Sequence, residues 1–126
     1  MSDDDHAWPT ELRLSADRRI LHVAFEDGLA ADLSAEMLRV MSPSAEVQGH
    51  SPEERKTIPG KRDVEIIGIE PVGNYAIRIR FDDLHDSGIF NWPLLHHFGR
   101  ERDALLAAYF EELAEKGLSR EPMRRG

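Results

Sequence analysis

The sequence predicts an α+β fold: a small, mostly antiparallel sheet built from two hairpins, with two or three helices packed on one side. Three observations carry this. Residues of alternating polarity recur in two groups, at 11–33 and 64–81, which is the period of half-buried strands. A serine-capped apolar run, Ser34 to Met41, lies between the groups. After Asn91 the apolar residues change to helical spacing.

Residues 1–9 read as a flexible lead, 10–117 as a single domain, and 118–126 as a basic C-terminal tail. Leu12 and Leu14 alternate with Glu11 and Arg13 in a first strand, and a turn at Asp17-Arg18 follows. The second strand, Ile20 to Glu26, points Leu21, Val23 and Phe25 inward and leaves His22 on the wet face. Asp27-Gly28 predicts a type I′ turn, which needs positive φ at both central residues, before a third strand at Leu29 to Leu33. Ser34 is a good N-cap, and Leu33 with Leu38 form a hydrophobic staple, so a short helix covers about Ala35 to Met41. From Pro43 to Asp63 the chain has no periodicity, a stretch that is either mobile or functional. Val64 to Glu70 and Tyr75 to Phe81 form a hairpin around Pro71-Val72-Gly73-Asn74. Its second strand sets Ile77, Ile79 and Phe81 on one face and Arg78 and Arg80 on the other. Asn91 caps a helix through Leu94, Leu95 and Phe98, with Gly99 as its stop. A last helix, about Arg100 to Lys116, carries Leu105, Leu106, Tyr109, Phe110 and Leu113 as core.

The 126 residues suit one domain, and 40% hydrophobic with 32% charged residues suit a soluble one. No apolar run approaches the roughly 18 residues of a membrane span, and the acidic start has no apolar signal core. A net charge of −8 argues against nucleic acid as partner, because that binding needs a basic footprint. The basic clusters, Arg18-Arg19, Lys61-Arg62 and Arg120 to Arg125, read as solvated surface. With no cysteine there are no disulfides, no thiolate catalysis and no thiolate-bound metal, and the expected location is cytoplasmic.

No nucleophile elbow, phosphate loop, dinucleotide fingerprint or zinc-protease helix is present. Ser44 and Ser87 can be paired with histidines on paper, but no spacing requires it. The densest polar stretch runs from Asp82 to Trp92. There His85 with Asp83 and Asp86 resembles part of a His/carboxylate metal set, with His50 approaching from the long loop. The competing reading makes Asp83 and Asp86 turn residues that accept nearby backbone N–H groups. His96 and His97 are neighbours on a helix and point about 100° apart, so they share no metal. Phe90 and Trp92 read as a cover for the core.

Two blocks carry a resemblance. One is Leu33-Ser34-Ala35-Glu36-Met37-Leu38-Arg39-Val40-Met41-Ser42-Pro43-Ser44-Ala45-Glu46-Val47-Gln48-Gly49-His50. The other runs from Ile69-Glu70-Pro71-Val72-Gly73-Asn74-Tyr75 through Phe81-Asp82-Asp83 to His85-Asp86-Ser87-Gly88-Ile89-Phe90-Asn91-Trp92. Together with Trp8 to Arg13 they resemble the gamma-butyrobetaine hydroxylase-like N-terminal domain family, also called domain of unknown function 971, over about residues 8–112. The resemblance implies a domain found alone, or fused to oxygenases of carnitine synthesis or to iron–sulfur P-loop proteins. In the oxygenases the family binds a structural zinc through three cysteines and a histidine. Those positions fall here on Ser42, Ser44, Val47 and His85. Serine and valine supply no thiolate, so the zinc is expected to be absent.

The expectation is therefore a stand-alone, non-catalytic accessory domain whose chain holds no oxygenase domain. Its partner would be a protein, by analogy in iron–sulfur or oxygenase pathways. The alternative is an iron- or zinc-binding protein using His85 and His50, assisted by Asp83, Asp86 or Glu46.

Overall fold

The structure, a computed structural model, describes residues 8–43, 57–83 and 86–122, the side chains of 86 and 87 excepted. In order the elements are β1 (Pro9–Leu14), β2 (Ile20–Phe25), β3 (Ala30–Ser34), α1 (Ala35–Val40), β4 (Ile66–Val72), β5 (Ala76–Phe81), β6 (Asp86–Asn91), α2 (Trp92–Arg100) and α3 (Arg102–Glu115). The strands form two three-stranded antiparallel sheets, β1-β2-β3 and β4-β5-β6. With the three helices they make the α+β domain that the sequence predicts.

Strand parity explains the core. Leu21, Val23 and Phe25 are buried on β2 with Leu33 beside them, and Ile77, Ile79 and Phe81 are buried on β5 with Phe90 of β6. Met37 and Leu38 of α1, Leu95 and Phe98 of α2, and Tyr109 and Leu113 of α3 close the same cluster. Each fully buried aliphatic or phenyl side chain contributes about 1.5–3 kcal/mol. The sheets are tied by the Ile66 amide, which donates to the Arg18 carbonyl at 2.8 Å, and α1 is tied to the first turn by Ala35 N–H donating to Arg19 O at 2.7 Å.

Several boundaries differ from the sequence reading. β1 begins at Pro9 rather than after the lead, because Trp8 O accepts from Glu26 N–H at 2.9 Å. Asp27-Gly28 is not a type I′ turn. Gly28 has φ +97°, whereas Asp27 keeps negative φ. Gly28 N–H donates to Phe25 O and Phe25 N–H to Leu29 O, so Glu26, Asp27 and Gly28 form a three-residue loop ending in a left-handed glycine. Asp27 stays in place because its carboxylate accepts from Leu29 N–H at 3.0 Å. In the second hairpin Pro71 and Val72 belong to β4, opposite Ile77 and Ala76, and the turn is Gly73-Asn74-Tyr75.

The stretch after Phe81 holds a sixth strand that the sequence reading took for turn residues. Its backbone completes the ladder on the open edge of β5. Asn91 does cap α2, accepting from Leu94 N–H at 2.9 Å. Gly99 does not stop that helix, which runs to Arg100. A β-carbon on Gly99 would stand 3.4 Å from Ala31 Cβ and 3.4 Å from Leu29 Cδ2, so the glycine is there for close packing on β3. Phe110, expected in the core, is 37% exposed. Among the described residues no helix is long and apolar enough to cross a membrane.

Candidate functional site

Helix α1 is the feature from which the site grows. Ser34 caps it by accepting from Met37 N–H at 3.1 Å, and all six of its residues are buried. Apolar residues at Ala35, Met37, Leu38 and Val40 wrap the helix, which leaves its two charged residues, Glu36 and Arg39, with no wet face. Both are therefore answered by ions from far along the chain. A buried charge requires this, since leaving one unpaired costs several kcal/mol.

Arg39 faces the end of β5. Its Nε donates to Asp83 Oδ2 at 2.7 Å, and Lys61 Nζ donates to the same oxygen at 2.7 Å. The Arg39 side chain is 3% exposed, while Asp83 and Lys61 are about one-fifth exposed, so the triad runs from the interior to the surface. One turn beyond, Ser42 is fully buried and its hydroxyl accepts from Gly88 N–H at 3.2 Å, joining the end of α1 to β6. A cleft of about 180 Å³ opens against the triad, lined by Lys61, Asp63, Asp82, Asp83 and Pro122 among others.

Glu36 faces the C-terminal segment. Arg120 grips it with Nε at 2.9 and 3.2 Å and Nη2 at 2.7 Å, in the forked geometry that suits a carboxylate. The Arg120 guanidinium carbon lies 4.6 Å from the Phe110 ring centroid, a cation–π contact. The Glu36 carboxylate raises the Arg120 guanidinium further above its already high ordinary value. The Tyr109 hydroxyl donates to Ile58 O, and burial first, then the Glu36 charge, push its phenol up to about 12. Residues 118–122 are thus docked on the domain rather than trailing from it. Gly60 N–H donates to Ser119 O at 2.8 Å and Arg62 N–H to Arg120 O at 3.0 Å.

A further titratable pair joins a buried histidine to an exposed aspartate. His96 is 6% exposed, its Nε2 stands 2.7 Å from Asp27 Oδ2, and its ring meets Phe25 edge-on at 4.9 Å. His97 beside it is exposed, as neighbours on a helix predict. Bonding from Leu29 N–H, then His96, holds the Asp27 carboxyl below the usual range. His22, on the outward face of β2, bonds Asp32 through Nδ1 at 2.7 Å.

Of the sequence-derived candidates, His50, His85 and Glu46 lie outside the described residues, as do Ser44 and Val47. Asp86 is described only as backbone, in β6. Asp83 is in place, but its Oδ2 holds two cations. Among the described residues no group of three or more His, Asp or Glu side chains is placed to hold a metal. The donors around Ser42 do not suit the zinc that the resemblance implies. A buried hydroxyl already accepting the Gly88 amide stands where the resemblance puts a thiolate. Sequence reasoning missed Glu36, Arg39 and Arg120. The available signal was the apolar wrap of residues 35–41, which leaves a charge no place except a pair.

The two antiparallel sheets, the buried helix between them and its two long-range ion pairs define a small α+β domain. Residues 12–96 match the family described as gamma-butyrobetaine hydroxylase-like, N-terminal, and the chain belongs to that family. Two solution NMR structures are similar to it. One is 42% identical, with a TM-score of 0.80 and 94% of each chain covered. The other is 37% identical, with a TM-score of 0.79, covering 100% of this chain and 94% of that one. A crystal structure of an Acidithiobacillus ferrooxidans protein with unknown function, of the DUF971 family, is 30% identical. Its TM-score is 0.62, with 79% of this chain and 98% of that one covered. No curated protein matches the chain.

Proposed function

We propose that this chain is a non-catalytic accessory domain that acts by binding a protein partner, without the cysteine-ligated zinc of the family. The observation that carries this reading is the arrangement around α1. Glu36, Arg39, Asp83 and Ser42 are spent on one another, on Lys61 and Arg120, and on the Gly88 amide. Groups so engaged hold elements together; they neither attack a substrate nor wait for a metal.

Metal analysis of the full chain, purified without chelator and compared with His85→Ala, tests it. Folded protein with substoichiometric iron and zinc, the same in the variant, is expected. Stoichiometric metal that disappears with His85 would replace this reading with a His85/His50 metal site. Affinity capture with the full chain as bait tests the other half. A partner retained reproducibly in high salt is expected, and nothing above background under any growth condition would sink the interaction reading.

A further inference from the structure

We propose that Glu36, Phe110 and the backbone of residues 60–62 form a groove that reads arginine in an extended segment. The chain's own Arg120 occupies it, and a partner bearing an arginine in an extended segment takes Arg120's place. This rests on the interaction reading above and names the chemistry of the partner.

The groove has three parts, each with its own demand. Glu36 is only 5% exposed, so it requires a cation, and its two oxygens accept from Nε and Nη2 of one guanidinium. That fork is what arginine offers and lysine does not. The Phe110 ring covers one face of the guanidinium and itself stays partly open to solvent. The Gly60 and Arg62 amides donate to the carbonyls of Ser119 and Arg120. Main-chain bonds of this kind accept any extended peptide, as strand addition does.

Beside those main-chain bonds, the occupant's one side chain that reaches a buried partner is Arg120. Leu118, Ser119, Glu121 and Pro122 are all exposed, so no apolar anchor fixes the segment. Arg62 and Glu121 pair, but both are more than half exposed, and such pairs contribute little. The segment is held by the Glu36 fork, two main-chain bonds and one exposed ion pair. A second arginine-bearing segment that repeats the fork and the main-chain bonds therefore replaces it without leaving Glu36 unpaired. The chain's own segment acts as a tethered competitor, and a short tether gives a competitor at effective millimolar concentration.

The test titrates a labelled peptide of residues 117–122 against the full chain and its Arg120→Ala variant. Binding to Arg120→Ala is expected to be at least about ten-fold tighter than to wild type, since the competitor is gone. Adding Glu36→Gln is expected to abolish it, and a peptide with lysine for arginine should bind about ten-fold more weakly. No binding to folded Arg120→Ala, or binding indifferent to Glu36→Gln, would overturn the proposal. Should Arg120→Ala not fold, amide exchange of the wild-type chain decides. Gly60 and Arg62 amides exchanging well ahead of Val23 and Ile77 support an opening segment, and equal protection overturns it. A concentration-dependent dimer lost in Arg120→Ala would give the groove to a second copy and overturn a foreign partner. A captured partner that ignores Glu36→Gln overturns this groove while leaving the interaction reading intact.

Discussion

Asp83→Ala is the substitution that weighs most on the architecture around α1. It removes the carboxylate that answers Arg39, whose side chain is 3% exposed, and leaves a guanidinium buried beside Lys61. Breaking a buried pair by deleting one partner costs about 3–5 kcal/mol. Asp83 itself is 18% exposed, so water screens part of the interaction and the lower end, about 3 kcal/mol, is expected. In a domain of this size 1 kcal/mol corresponds to about 3–5 °C in Tm, which makes the shift about 9–15 °C. The assay is urea unfolding followed by circular dichroism, with Glu11→Ala as control. Glu11 pairs with Arg13 on the surface, where water screens the pair and its loss should leave the unfolding curve close to wild type. The double variant Arg39→Met with Asp83→Ala should recover most of the loss, because it removes the buried charge as well as the carboxylate that answers it. A cost below about 1 kcal/mol for Asp83→Ala, or a double variant no better than the single, would refute the claim that the pair is buried in effect.

Three further outcomes follow from the geometry. The folded-state pKa of Asp27 is depressed, so its contribution is present above the ordinary carboxylate pKa of about 3.9 and is lost as pH falls through the lower folded value. Asp27→Asn should lower Tm at neutral pH, and the gap to wild type should close below about pH 4; a gap constant down to pH 2 would contradict the assignment. The Tyr109 pKa is raised, so its contribution holds below about pH 10 and is lost as pH rises toward about 12. Tyr109→Phe should remove the late phase of tyrosinate absorbance in an alkaline titration and cost about 1 kcal/mol for the lost bond to Ile58 O. Gly99→Ala should be near neutral in thermal melts, since about 1 kcal/mol of helix propensity offsets the 3.4 Å contacts with Ala31 and Leu29. Gly99→Val should cost about 2 kcal/mol, and a Val variant as stable as wild type would remove the close-packing argument.

Local rules made part of this fold legible. Strand parity placed Leu21, Val23, Phe25, Ile77, Ile79 and Phe81 inward, and Ser34 and Asn91 cap helices as their chemistry predicts. The failures came where tertiary contacts outvoted those rules. Asp86-Ser87-Gly88 has turn composition, yet the open edge of β5 draws it into a ladder. Gly99 has the composition of a helix stop, yet it serves the approach of α2 to β3. The ion pairs were the least legible of all. Arg39 and Asp83 are 44 residues apart, and Glu36 and Arg120 are 84 apart, so no window of sequence contains both partners. The basic clusters read as solvated surface include Lys61 and Arg120, which close those pairs. A signal did exist in α1, where two charges have apolar neighbours on every side.

The 84-residue span between Glu36 and Arg120 also has a meaning in time. At about 5–20 residues per second, the ribosome makes Arg120 roughly 4–17 seconds after Glu36. Through that interval the α1 carboxylate has no arginine to answer it. On this account synthesis itself sets the order of assembly, and the last turn of the key is a single arginine.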